Sequence, residues 1–485
     1  MSEITNIKSK AFSGIIWKMA ERFAAQFVSL AVSIVLARLL MPDDYSVVSI
    51  VTIFFTFCNI FISGGFNTAL IQKKDADIED YSSVLWVSLG ISVAMYVVMF
   101  FTAPYIADIY HKDILVPVIR VMALTFFISA YKGVLCAYIS STLQFKKFFL
   151  STIGGTVISA VVGIWMAVRG FGPWALVAQQ MTNTTIDALI LTITTKIKFE
   201  MTISAKKIKG LFDYGWKVFV SSIINEVYNE IKPLVVGLKF STADLAFFNK
   251  GKGYPQIINS SICDSMSAVL FPVISKFQDD NNACLSVTRR FMRLSSYVMF
   301  PILIGFYSIS EDFVLLLLTE KWLPAVPYMK IFSVSYLFYI IQTGNLQAIR
   351  AVGRSDIILK LEIIKKTIFF IIVAVFVFVA KSPYYIAVSA VLCSLVAAII
   401  NMYPNRKLLG YGYLKQLRDL LPSLALSVLM LLTVNLLSFL QIHIFIKIIL
   451  KIAVGTISYI LFSIVTRNEN FKYLLNFIKA KVKRN

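Results

Sequence analysis

Apolar stretches of about 20 residues recur from Phe12 to Thr466, separated only by short polar breaks. A helix of that length crosses the ~30 Å hydrocarbon core of a bilayer, and no soluble domain fits between the stretches. Reading apolar runs against polar breaks predicts spans over residues 12–40, 45–71, 82–104, 116–140, 148–169, 173–195, 213–239, 244–275, 290–318, 326–349, 357–380, 384–404, 419–440 and 444–466. The pattern therefore predicts an all-α, polytopic transmembrane bundle of about fourteen helices. An even count places both termini on one side.

Composition agrees with lipid as the solvent: the 485 residues are 58% hydrophobic and 15% charged, with a mean hydropathy of +0.77, against ~25% charged in ordinary soluble domains. The net charge of +21 does not indicate nucleic acid. Roughly 31 of the 47 Lys and Arg fall in the segments that share a side with the termini, roughly 10 on the other side and roughly 6 inside spans. The positive-inside rule then makes both termini cytoplasmic, with the basic tail Lys472, Lys479, Lys481, Lys483 and Arg484 against anionic membrane lipids. Five scattered cysteines show no CxxC and no metal spacing. Glu21 and Arg22 interrupt the first apolar run and no small-residue cleavage site follows, so it reads as the first span and not a secretory signal.

The most basic internal connection holds Lys196, Lys198, Lys206, Lys207 and Lys209. It suggests an N-lobe over 1–195 (spans 1–6), a basic cytoplasmic loop over 196–212 and a C-lobe over 213–404 (spans 7–12). Spans 13 and 14 (405–466) and a basic tail (467–485) follow as an appendage. The halves echo each other weakly: Gly14, Trp17 and Lys18 match Gly215, Trp216 and Lys217; Arg38 matches Lys239; and Val116-Pro117 with Arg120 matches Val326-Pro327 with Lys330. Two such repeats are the signature of a transporter with its path between lobes. Paired glycines at 64, 65, 154 and 155 permit close packing.

Catalytic machinery is not evident. There is no Walker A sequence, the lone Gly251-x-Gly253 follows no strand, and His111 and His443 fit no HExxH or Ser/His/Asp arrangement. The chain is expected not to be an enzyme and to need no cofactor. Ionisable residues inside spans are costly and mark a polar interior. Arg22, Arg120, Lys132, Lys217, Lys232 and Lys330 read as a cavity for an anionic headgroup, because cations facing one cavity repel unless an anion bridges them. Lys132 and Arg22 can alternatively snorkel or pair with Glu21. Glu226 and Glu230 lie four apart on span 7 and, with Asp187 and Asp264, are candidates for coupling to Na⁺ or H⁺. The alternative for the glutamates is an ion pair with Lys217 or Lys232. Spans 2, 3, 5, 9 and 12–14 read as nearly free of charge, so spans 1, 4, 7 and 10 are expected to line the cavity.

Residues 36–45 (LARLLMPDDY), 69–72 (ALIQ), 170–179 (GFGPWALVAQ), 270–275 (LFPVIS), 321–327 (KWLPAVP) and 353–356 (GRSD) follow one another as family blocks. Over roughly residues 10–405 the chain resembles the bacterial polysaccharide transporter family, the O-antigen and exopolysaccharide flippases of the multidrug/oligosaccharidyl-lipid/polysaccharide exporter superfamily. Ser46 stands where that family usually has glycine, and Leu245 to Asn249 replace its Gly-Tyr-Tyr. The resemblance implies a multi-pass protein of the bacterial inner membrane that flips an undecaprenyl-diphosphate-linked oligosaccharide by alternating access. It also implies other polysaccharide-assembly membrane proteins as partners. Alternatives are a lipid II flippase, a cation-coupled drug antiporter of the same superfamily, or, from another class, a membrane glycosyl polymerase or ligase. Short external loops disfavour the last.

Overall fold

Backbone amides inside a bilayer have no water to bond, so each apolar stretch closes its hydrogen bonds within itself as helix. The structure, a computed structural model, describes residues 21, 24–73, 75–275, 280–440 and 442–482. Helix occupies every predicted span among the described residues. Among the described residues nine helices are long and apolar enough to cross a membrane, which makes this a multi-pass membrane protein. The chain forms two compact units, Met1–Ala246 and Phe247–Asn485.

The first unit holds α1 (Ala24–Leu39), α2 (Pro42–Ser63), α3 (Phe66–Gln72), α4 (Ile78–Tyr110), α5 (Leu115–Met122), α6 (Thr125–Ser141), α7 (Lys146–Val168), α8 (Pro173–Thr195) and α9 (Ala205–Lys239). A polar junction lies at the start of α4. Asp77 caps the helix by accepting from the Asp80 amide at 2.8 Å, Lys73 donates to both oxygens of the fully buried Asp80 at 2.6 Å, and Lys207 reaches Asp77 at 2.6 Å. The Lys207 bond, followed by the Asp80 amide, holds the Asp77 carboxyl down at about 2. The tie is therefore intact at neutral pH and lost only as the pH falls from the ordinary carboxylate range toward that value. The basic connection is not loose: Ser82 and Ser83 accept from the amides of Glu200 and Ser204 at 2.9 and 3.0 Å.

α9 packs in this unit against α2, α3 and α4. The crossing depends on glycine. Gly65 has φ +76°, and a Cβ there would stand 2.1 Å from the Gly215 carbonyl oxygen.

The unit boundary falls within α10 (Thr242–Ser275). The second unit continues with α11 (Asn281–Phe313), α12 (Val326–Leu337), α13 (Tyr339–Ala351), α14 (Ser355–Val379), α15 (Pro383–Leu408), α16 (Tyr413–Leu436), α17 (Ile444–Val465) and α18 (Glu469–Val482). Outside the repeat in sequence, α16 and α17 nonetheless pack against α11 of this unit. Leu426, Met430, Val434 and Tyr459 share an apolar core with Tyr297 and Ile304 of α11. Tyr297 donates to Ser463 at 2.8 Å, and Tyr459 donates to the Tyr297 carbonyl at 2.8 Å. Span 9 and spans 13–14, read above as nearly free of charge, do carry ionisable residues, and several pair between them: Arg293 with Asp419, and Asp312 with Lys447 and Lys451.

The halves share an irregularity the hydropathy pattern does not show. Spans read as continuous over 116–140 and 326–349 are each split, into α5 and α6 at Ala123–Leu124 and into α12 and α13 at Phe338. Tight turns close both breaks, Leu124 N–H to Val121 C=O at 3.2 Å and Phe338 N–H to Ser335 C=O at 3.4 Å. Both breaks fall in the spans that carry the Val-Pro echo, but at different depths: Ala123 follows Val116 by 7 residues and Phe338 follows Val326 by 12.

Gly65→Ala should lower the melting temperature of the purified protein by well over the equivalent of ~1 kcal/mol. Gly90→Ala, where an added Cβ meets nothing within 4 Å on α4, should leave it equal or higher.

Candidate functional site

In the first unit Lys132 on α6 meets Asp187 on α8 at 2.5 Å, and Asp187 is buried. Gly155 of α7 makes room, since a Cβ there would lie 3.3 Å from the Asp187 Cβ. A residue expected to receive an anion and one expected to couple a cation thus neutralise each other, as desolvated opposite charges do. Glu21 accepts from Thr152 at 3.0 Å.

Arg120 is held differently. Its guanidinium carbon sits 4.1 Å from the centroid of Phe100 on α4, and its Nε donates to the Phe100 carbonyl at 3.4 Å. Among the described residues it forms no ion pair. In the second unit Lys330 on α12 places its ammonium 5.7 Å from the Tyr307 ring centroid on α11. The two arrangements correspond: in each half, a cation near the start of the broken span lies over an aromatic of the long preceding helix. Such contacts are worth ~0.5–2 kcal/mol and leave the positive charge uncompensated.

On α9, Lys217 is exposed, Glu226 and Glu230 are half-buried, and Lys232 is buried. The side chain of Asp264 on α10 lies outside the described residues, as do Arg22, Gly14, Trp17 and Lys18.

The second unit contains ion pairs that sequence reading missed. Asp419 of α16, with no side-chain exposure, accepts from Arg289 Nε at 2.8 Å and Arg293 Nε at 2.8 Å, both on α11, and from the Tyr411 hydroxyl at 2.9 Å. Asp312 of α11 pairs with Lys451 at 2.5 Å and Lys447 at 3.5 Å, both on α17. Lys447 and Lys451, four apart in an otherwise apolar span, were the available signal. Asn345, Asn405 and Gln416 form a further buried set, with bonds of 2.7–3.1 Å. Lys250 of α10 lies 5.4 Å from the Trp322 ring centroid and 5.9 Å from that of Tyr254.

A family model described as "Polysaccharide biosynthesis protein" matches residues 35–327. The chain belongs to the polysaccharide biosynthesis protein family. Among its relatives is an uncharacterized membrane protein in the cps region of Klebsiella pneumoniae, 23% identical over 410 residues that cover 82% of each chain. Another is the succinoglycan biosynthesis transport protein ExoT of Rhizobium meliloti, 20% identical over 64% of this chain and 63% of that protein. The fold is similar to that of a solved structure, the lipid II flippase MurJ, itself described as inward closed, with a TM-score of 0.78, 13% identity, and coverage of 94% of this chain and 99% of that one. Family membership agrees with the resemblance drawn from residues 36–45 and the blocks that follow.

Asp187→Asn leaves the Lys132 charge without its partner, and should lower the yield of folded protein and its thermal stability by about 3–5 kcal/mol. The double variant Lys132→Met with Asp187→Leu should recover most of that loss, measured as melting of the detergent-solubilised protein.

Proposed function

We propose that the protein is a flippase that carries an oligosaccharide linked to an undecaprenyl diphosphate across the bacterial cytoplasmic membrane, by alternating access, in surface polysaccharide synthesis. The observation that supports this most directly is the matched pair of cations, Arg120 over Phe100 and Lys330 over Tyr307. A cation resting on a π-face can turn to a phosphate oxygen without breaking an ion pair, and it gains a charge-assisted bond by doing so. Family membership places the chain in polysaccharide biosynthesis, and the ExoT relative is named as a transport protein.

Arg120 and Lys330 are the primary headgroup ligands in this reading, with Arg22, Lys217 and Lys232 as further members. Lys132 is the structural partner of Asp187. Glu226 and Glu230, four apart and half-buried on α9, are the coupling candidates for Na⁺ or H⁺. Asp264 is a further one. The excess of Lys and Arg in alternate connections supports an orientation with both termini in the cytoplasm. Transport, and not bond formation, is the activity: a purified polymerase or ligase would lengthen or transfer the glycan, and this chain should do neither.

Arg120→Gln and Lys330→Gln should each lower surface polysaccharide by roughly 10- to 100-fold, the loss expected for one charge-assisted bond to a phosphate, while the protein remains inserted at normal level. Normal glycan in both variants would sink the headgroup assignment. In proteoliposomes, dissipating an imposed Na⁺ or H⁺ gradient should stop flipping of the lipid-linked glycan, and Glu226→Gln with Glu230→Gln should remove that dependence. Equal rates with and without both gradients would refute coupling.

A further inference from the structure

A second basic region lies apart from every residue assigned to the substrate. Where α11, α16 and the turn from α17 to α18 meet, a cavity of about 790 Å³ is lined by five cations, Arg289, Arg293, Lys415, Arg418 and Arg467, against two carboxylates, Asp419 and Glu469. Both carboxylates are already bonded: Asp419 to Arg289 and Arg293, and Glu469 to Arg293 at 2.9 Å. Lys415 donates only to the Gly410 carbonyl, at 3.0 Å. Among the described residues, neither the Arg418 nor the Arg467 guanidinium has a hydrogen bond or ion pair. Three positive charges therefore converge on one cavity without compensation.

The cavity has an apolar wall as well. Arg418, Pro422, Ala425 and Leu429 follow steps of four, three and four, which puts them on one exposed stripe of α16. From Arg418 to Leu429 the stripe runs ~16 Å, about the depth of one leaflet's hydrocarbon. Cations at one end of such a stripe match a phosphate headgroup with an acyl chain below it. The backbone at Arg467 is set by a tight turn. It stands in the left-handed region at φ 51°, in a turn closed by Asn468, whose side chain accepts from the Asn470 amide at 2.9 Å.

We propose that this cavity holds an anionic phospholipid of the surrounding bilayer, its phosphate between Arg418 and Arg467 and an acyl chain along Pro422, Ala425 and Leu429. A bulk phospholipid fits better than the lipid-linked substrate. The stripe faces outward to lipid, no proposed substrate residue lines the cavity, and an abundant leaflet component occupies such a site by mass action. The bound lipid would supply the missing negative charge where α16 and α17 join α11.

The test uses the full chain in lipid of defined composition, with native mass spectrometry as readout. Wild-type protein should retain phosphatidylglycerol about 10-fold over phosphatidylcholine. Arg418→Gln with Arg467→Gln should reduce that preference to near parity without changing the melting temperature in lipid-free detergent. Should the variant fail to insert, photoactivatable phosphatidylglycerol on the wild type should label peptides covering residues 415–429 and 466–470. Equal retention of both lipids by wild type, full retention of phosphatidylglycerol by the inserted variant, or labelling confined to other peptides would overturn the proposal. So would displacement of the lipid by inorganic phosphate, which would mark a free-anion site, or by equimolar undecaprenyl diphosphate, which would mark a substrate subsite.

Discussion

A charge within a bilayer finds no water, so it must meet an opposite charge on a neighbouring helix or open toward a polar space. That requirement organises the buried polar structure here. Asp419 has no exposure and is bonded by two arginines of α11 and by Tyr411. Asp312 is bonded by two lysines of α17, and Asp187 by Lys132. In a medium where apolar contact between helices competes with equally apolar lipid tails, such pairs specify which helices adjoin and in what register.

The cations that do not follow this rule are the informative ones. Arg120 and Lys330 rest on aromatic faces, each in the first part of a span that is broken into two helices. A π-face stabilises a cation weakly and does not cancel its charge. Neither Arg120 nor Lys330 is tied to a carboxylate in an ion pair among the described residues, whereas Lys132 is held by a buried one. The difference between an ion pair and a ring contact is what the proposed headgroup assignment rests on.

Three of the six basic residues proposed from sequence have a directly described polar or ring environment, and those three divide. Lys132 went to Asp187, because α6 and α8 bring together residues 55 positions apart that no helical periodicity relates. Arg120 and Lys330 meet aromatic rings instead. Asp312, Asp419, Arg289 and Arg293 were overlooked because each sits near a span end, where hydropathy averages a charge away against its apolar neighbours.

Hydropathy alone determined that this chain is a helical, multi-pass membrane protein and roughly where its spans run, because lipid demands long apolar helices whatever their neighbours are. The block from Leu36 to Tyr45 and those after it determined the family. Only the tertiary structure decided which charges pair, where two spans break, and that α16 and α17 are bound into the second unit, because all of these depend on which helix faces meet. One-dimensional pattern records that a charge lies in a span; it carries no information about the partner that makes it structural or the ring that leaves it free.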